Sequence, residues 1–294
     1  MLIKKQLLML KKLFPMCIKI IRGNLINFYI KLLLSLRSIN LKLVYRIWFI
    51  GINEAHPIYN FFYPRIIQNY LVQIKDQIIF CDIGANNGHI SNVLLKKIPK
   101  LHVIAFEPLQ SKKAIFKEME KKYDNFIYKD LALGDKIEEQ EFFEYNNDAH
   151  SSLVPVDIEN NTLGLKLTNN YKIKVSTLDH ETSSINKKLF LKIDSQGYEK
   201  KILDGCANLF EKNLIVGVII ELQIRNIEHQ ENFTDFLEIS NFFKSKNFFL
   251  SDIQTGYRTN GVLQEFDALF LPKSEIDKIT NKKSESSLYL FPEG

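Results

Sequence analysis

The chain has 294 residues, 46% of them hydrophobic and 25% charged, with a net charge of +5. These values are ordinary for a globular protein with one large or two ordinary domains and a sizeable core. Ten of the 39 basic residues and none of the 34 acidic ones fall in residues 1–53, so a basic head precedes a body that is net acidic by five. The body therefore gives no reason to expect nucleic-acid binding. The three cysteines, Cys17, Cys81 and Cys206, are widely spaced and form no C-x-x-C pair, so neither a disulfide framework nor a zinc site is indicated and a reduced compartment is the simplest reading.

The apolar runs of the N-terminus are broken by Lys11, Lys12, Lys19 and Arg22, so none reaches the ~20 residues of a spanning helix. No small-residue cleavage site follows either. Leu32, Leu33, Leu34 and Leu36 between Lys31 and Arg37 suit a basic amphipathic helix. Such a helix can lie on an anionic membrane surface, or pack on the body or on a second subunit. The expected location is cytoplasmic, at most peripheral to the inner membrane face. Liposome flotation of the full chain against a chain lacking residues 1–50 tests this; equal flotation of both would contradict membrane contact.

The expected organisation is a basic helical region at 1–55, a helical lead-in at 56–76, a catalytic domain at 77–272 and a tail at 273–294. From residue 78, apolar runs alternate with helical stretches, which implies βαβ units and a parallel sheet. Strands are predicted at 77–83, 102–106, 126–129, 189–194 and 214–221, with closing strands at 248–253 and 265–271. Helices are predicted at 88–97, 111–122, 198–210 and 234–246, the last with Phe236, Leu237, Ile239, Phe242 and Phe243 on one side. Residues 139–177 read as an insertion over the top of the sheet, with alternating strands at 141–145 and 172–175.

The densest motif is Ile78-Ile79-Phe80-Cys81-Asp82-Ile83-Gly84-Ala85-Asn86-Asn87-Gly88. A buried strand runs into Asp82 and then into a loop. There Gly84 and Gly88 permit positive φ, and Asn86 and Asn87 tolerate it. Alone this is also the pattern of a tight βα turn. The next strand ends in Ala105-Phe106-Glu107-Pro108, which places Glu107 23 residues after Gly84. An acidic residue at that point accepts hydrogen bonds from ribose hydroxyls in Rossmann-like folds. NAD and S-adenosylmethionine both carry such a ribose. At the mouth of the first loop Asp82 is expected to repel a pyrophosphate and to receive an ammonium, directly or through water, which favours the sulfonium cofactor. After the third strand, Asp130 can accept from an adenine amino group, with Leu131, Ala132 and Leu133 beside it. An ordinary exposed turn is the alternative.

A second cluster follows in Leu191-Lys192-Ile193-Asp194-Ser195-Gln196-Gly197-Tyr198-Glu199. Adjacent strands bring Asp82 and Asp194 together at the carboxyl ends where ligands bind. The next strand is expected to end at Glu221. Strand alternation puts Lys192 on the face of Asp194, within reach of an ion pair. Asp194 is the candidate for orienting or deprotonating an acceptor hydroxyl, with Glu221 and Glu199 in support. For Glu199 the alternative is charge complementarity at a helix N-terminus. A divalent cation between Asp194 and Glu221 stays open as an alternative. Gln196, with His150, Ser151 and Ser152 of the insertion, is expected to line the acceptor site, although solvated loop residues would read the same way.

These motifs, with Ala132-Leu133-Gly134-Asp135 and Thr177-Leu178-Asp179 between them, resemble the FkbM-type S-adenosylmethionine-dependent methyltransferases over about residues 77–271. The chain departs mildly at Ser195, where the family usually has Val or Met, and at Tyr198, where it has Ala or Phe. The resemblance implies an α/β class I methyltransferase fold: a Rossmann-like seven-stranded sheet with its last strand antiparallel and helices on both faces. It also implies S-adenosylmethionine as cofactor and O-methylation of a sugar or secondary-metabolite hydroxyl, on a small-molecule or glycan acceptor. Two rivals remain, an NAD-dependent oxidoreductase and a non-catalytic membrane-associated adaptor on the same fold.

Overall fold

The computed structural model describes residues 78–157, 163–224, 235–256, 258–259 and 262–280. The basic head, the lead-in at 56–76, the first residues of the 77–83 strand and 234–246 helix, and the tail beyond 280 lie outside them. In chain order the strands of the main sheet are β1 (Ile78–Ile83), β2 (His102–Phe106) and β3 (Phe126–Lys129), then β7 (Lys188–Ile193), β8 (Ile215–Gln223), β9 (Phe248–Thr255) and β12 (Glu265–Pro272). A smaller sheet holds β4 (Ala132–Leu133), β5 (Glu138–Tyr145) and β6 (Leu167–Ser176), while β10 (Arg258–Thr259) and β11 (Val262–Leu263) form a short hairpin. The helices are α1 (His89–Lys97), α2 (Lys113–Lys122), α3 (Leu178–Glu181), α4 (Glu199–Asp204), α5 (Ala207–Glu211), α6 (Phe236–Ser245) and α7 (Lys273–Thr280).

The main sheet has the order β3-β2-β1-β7-β8-β12-β9. β1 to β3, β7 and β8 pair in parallel, whereas β12 runs antiparallel to both β8 and β9. This is the seven-stranded sheet that the resemblance implies. Every residue of β1 is buried, as a central parallel strand covered on both faces requires. Alternation divides it between two cores. Ile79, Cys81 and Ile83 face α4, α5 and α6 through Ile202, Phe210 and Phe243. Ile78 and Phe80 face α1 and α2 through Leu94 and Phe116. The chain reverses its strand order between β1 and β7, so the carboxyl ends of β1, β2, β7 and β8 border one crevice.

Several details differ from expectation for physical reasons. The helix predicted at 198–210 is two helices, α4 and α5, broken at Gly205. A Cβ there would lie 2.0 Å from the Gly134 carbonyl oxygen, so the chain passes β4 too closely for any side chain. The free amides of α5 are met by Asp179, which accepts from Asn208 N at 2.9 Å and Leu209 N at 3.0 Å. β8 continues to Gln223, two residues past the expected end, because β12 pairs with it there, so Glu221 lies inside the strand. Leu237, expected on the apolar side of α6, is 65% exposed. The insertion contains the antiparallel pair β5 and β6, and β6 also takes β4 in parallel, a pairing too short to read from two residues of sequence. Among the described residues no helix is long and apolar enough to cross a membrane.

Candidate active site

The loop after β1 is built on left-handed backbone at Gly84 (φ 70°), Asn86 (φ 48°) and Gly88 (φ 67°). Gly84 is obligatory: a Cβ there would lie 1.7 Å from the Asp194 carbonyl oxygen, across the seam between β1 and β7. Gly84 N and Ala85 N both donate to Phe106 O, at 3.1 and 3.3 Å, and fasten the loop to the end of β2. Asn87 turns its Oδ1 to the His89 amide at 3.0 Å, satisfying a free donor at the start of α1.

Glu107 stands beside this loop. Its two oxygens accept from Asn86 N at 2.7 Å and Leu109 N at 2.8 Å, so the carboxylate is fixed by backbone on both sides. A carboxylate has about four acceptor positions, so two stay available to other donors. Burial pushes the Glu107 carboxyl up to about 7; Asp82 adds to the rise, and the two amides and Lys192 oppose it. Pro108 is buried beneath the turn. Asp130 pairs with Lys113 at 2.5 Å and lies 3.3 Å from the Tyr128 hydroxyl, which also donates to Glu107 O at 2.9 Å. Ala132 opens β4 and packs with Leu109.

Asp82 is not at the loop mouth. It has no exposed surface; its Oδ2 accepts from Ser91 Oγ at 2.5 Å, and its Oδ1 lies 3.6 Å from Lys192 Nζ. The expectation that it directly repels a pyrophosphate or meets an ammonium is therefore corrected. Strand alternation turns Asp82 down into the face covered by α1, beneath the loop rather than into the crevice.

Asp194, one residue past β7, is partly exposed. Its N donates to Ile83 O at 3.1 Å, and its Oδ2 lies 3.2 Å from Lys192 Nζ. Glu221 occupies the adjacent position on β8, since Ile193 pairs with Ile220. Burial, then Asp194, Glu265 and Asp267, raise the Glu221 carboxyl well above its ordinary value. The Gln196 side-chain nitrogen donates to Asp194 Oδ1 at 2.8 Å and to Glu221 Oε2 at 2.7 Å. An amide thus stands where a cation shared by the two carboxylates would sit. Among the described residues no group of three or more His, Cys, Asp and Glu could hold a metal ion.

Glu199 and Ser152 take other places than expected. Both Glu199 oxygens turn back on the loop, accepting from Ser195 N at 3.0 Å and from Gly197 N at 3.0 and 3.2 Å. Ser152 is buried, with its hydroxyl 2.7 Å from Gln196 O and 3.1 Å from Ser195 O. Both brace the turn that carries Asp194 instead of facing the crevice. Ser151 accepts from Tyr145 N at 3.2 Å, and His150 closes a 3-10 turn of the insertion.

The model of the methyltransferase FkbM domain matches residues 82–250, more than half of the chain. The chain belongs to this family. A search of curated proteins finds no match to this chain. Its fold is similar to that of TrmK of M. capricolum in complex with S-adenosyl-homocysteine, at 11% identity over 70% of this chain and 67% of that one (TM-score 0.37). Magnesium protoporphyrin IX methyltransferase from Synechocystis PCC 6803 with bound SAM is similar at 7% identity, over 72% and 78% (TM-score 0.40). A 1,6-didemethyltoxoflavin-N1-methyltransferase of Burkholderia thailandensis is similar at 9% identity, over 76% and 80% (TM-score 0.41).

Lys192, expected as an ion-pair partner of Asp194, has a second role in the site. Lys192 is 2% exposed and reaches up from β7 to donate to Gly84 O at 2.7 Å, between Asp82 and Asp194. It joins the glycine loop to the turn that carries Asp194. The signal was present, since a lysine inside an otherwise apolar buried strand is rare without a carboxylate partner.

Proposed function

We propose that this family member transfers a methyl group from S-adenosylmethionine to a hydroxyl of a sugar, glycan or secondary metabolite, with Asp194 orienting or deprotonating that hydroxyl. The observation that carries the reading is the pairing of two different carboxylates across one crevice. Glu107 is buried and immobilised by two backbone amides beside a glycine loop. Asp194 is partly exposed at the end of β7, with β1 between it and the strand that ends at Glu107. The first suits the paired hydroxyls of a ribose, because an ionised carboxylate is an acceptor-only group with lone pairs to spare. The second suits a reacting hydroxyl, which needs an acceptor for its proton.

S-adenosylmethionine would supply an electrophilic methyl group; the remaining demands fall on the chain. Glu107, Asn86 and the loop from Gly84 to Gly88 would hold the nucleoside. Asp130 and Ala132 stand on the far side of Glu107, where an adenine would lie. Asp194 would accept the hydroxyl proton while Lys192 balances its charge. Holding the hydroxyl in line with the methyl group can supply much of the rate, and a positioned carboxylate base adds about 10²–10⁴-fold.

An oxidoreductase using NAD has less support. The loop is G-x-x-x-G and lacks the second glycine that lets backbone approach a pyrophosphate. The test is incubation of the full chain with S-adenosylmethionine carrying an isotopically labelled methyl group and an extract of glycans and small metabolites. Label is expected in a hydroxyl-bearing product as a methyl ether. Label found only in amines, or in no product, would contradict the proposal.

A further inference from the structure

Gln196 holds φ at 53°, a left-handed conformation that residues with side chains keep only when their surroundings impose it. Two groups impose it here. Glu199, from the first turn of α4, accepts the amides of Ser195 and Gly197. Ser152, from the insertion, offers its hydroxyl to the carbonyls of Ser195 and Gln196. Ser152 is itself fixed by a two-way backbone bridge to β5: Phe143 N donates to Ser152 O at 2.9 Å and Ser152 N to Phe143 O at 3.1 Å. The turn is thus held at its amides from one side and at its carbonyls from the other.

The result is the direction of one carboxamide. Its nitrogen has two N–H donors, and the two carboxylates at 2.8 and 2.7 Å take one each. Without it, Asp194 and Glu221 would oppose each other on adjacent strand ends as like charges. A glutamate of the same length would add a third. With it, Asp194 has one donor for each oxygen, Gln196 at Oδ1 and Lys192 at Oδ2, and its remaining lone pairs keep a defined direction.

We propose that Gln196 is a positioning residue that aims Asp194 at the acceptor hydroxyl, and that the insertion governs it through Ser152. This rests on the reading of Asp194 given above. The charged groups near the pair are Lys192 of β7, Asp82 of β1, Glu199 of α4, and Glu265 and Asp267 of β12.

The experiment follows the Asp194 and Glu221 carboxyls by carbon NMR in the full chain labelled at Asp and Glu, with signals assigned through Asp194→Asn and Glu221→Gln. Gln196→Gly keeps the left-handed backbone and removes the amide; Gln196→Glu keeps the length and removes the donors. Removing the amide donor should displace the Asp194 carboxyl carbon signal at fixed pH in Gln196→Gly. The displacement should be larger in Gln196→Glu, and smaller but in the same direction in Ser152→Ala. Backbone amide spectra outside the turn show which variants stay folded. An Asp194 carboxyl signal unchanged in folded Gln196→Gly or Gln196→Glu overturns the role of Gln196, and one unchanged in Ser152→Ala overturns the control by the insertion. Failure of the wild type to bind S-adenosylhomocysteine would instead remove the methyltransferase reading and leave the carboxyl measurements standing.

Discussion

Asp194→Asn lowers methyl transfer by about 10²–10⁴-fold, the contribution of a positioned carboxylate base, and leaves S-adenosylhomocysteine bound. The substitution keeps the shape of the side chain and takes away its ability to hold a proton. The turn survives, because its geometry comes from Glu199, Ser152 and the Asp194 amide, which donates to Ile83 O at 3.1 Å. Lys192 keeps Gly84 O at 2.7 Å and Asp82 at 3.6 Å, so the glycine loop keeps its tie as well. Transfer of the labelled methyl group measures the first effect and calorimetry the second. A variant that transfers methyl groups at more than a tenth of the wild-type rate would remove Asp194 from the reaction.

Lys192→Met should have the largest effect on stability, about 3–5 kcal/mol, the usual result of leaving a buried charge without its partner. Lys192 and Asp82 are almost wholly buried, with side chains 3% and 1% exposed. Without the ammonium, Ser91 is the one hydrogen-bond donor left to the Asp82 carboxylate among the described residues, and the Gly84 carbonyl loses its buried donor. Met fills much of the same volume, so cavity formation adds little. Urea unfolding of both proteins gives the difference; a loss below about 1 kcal/mol would mean that the ammonium is dispensable to the buried pair.

Much of the architecture is legible because parallel strands covered on both faces read as unbroken apolar runs. Ile78 to Cys81, Leu189 to Leu191 and Ile215 to Ile220 are such runs. The approach of Asp194 and Glu221 is legible from the adjacency of their strands, and the Lys192–Asp194 pair from a period of two. What is not legible depends on contacts remote in sequence. Gly205 breaks a helix because Gly134 lies against it, 71 residues earlier. Asp82 looks like a loop-mouth residue until its strand face is known, and only then does Ser91 become its partner. Ser152 reads as a solvated loop serine, since nothing near it in sequence says that it reaches Gln196 across 44 residues.

The most direct measurement is calorimetric binding of S-adenosylhomocysteine to the full chain from pH 6 to pH 8, with NAD in parallel. Glu107 accepts ribose hydroxyls best when ionised, and burial holds its carboxyl near 7. Affinity should therefore rise by up to about tenfold per pH unit below that value and level off above it, while NAD binds far more weakly. The opposite sign applies to the empty protein: the raised carboxyl favours the fold fully below its ordinary value of 4.5, and that contribution is lost as pH climbs from there through 7. Equal affinity for NAD, no binding of S-adenosylhomocysteine, or an affinity that falls between pH 6 and pH 8 would contradict the account.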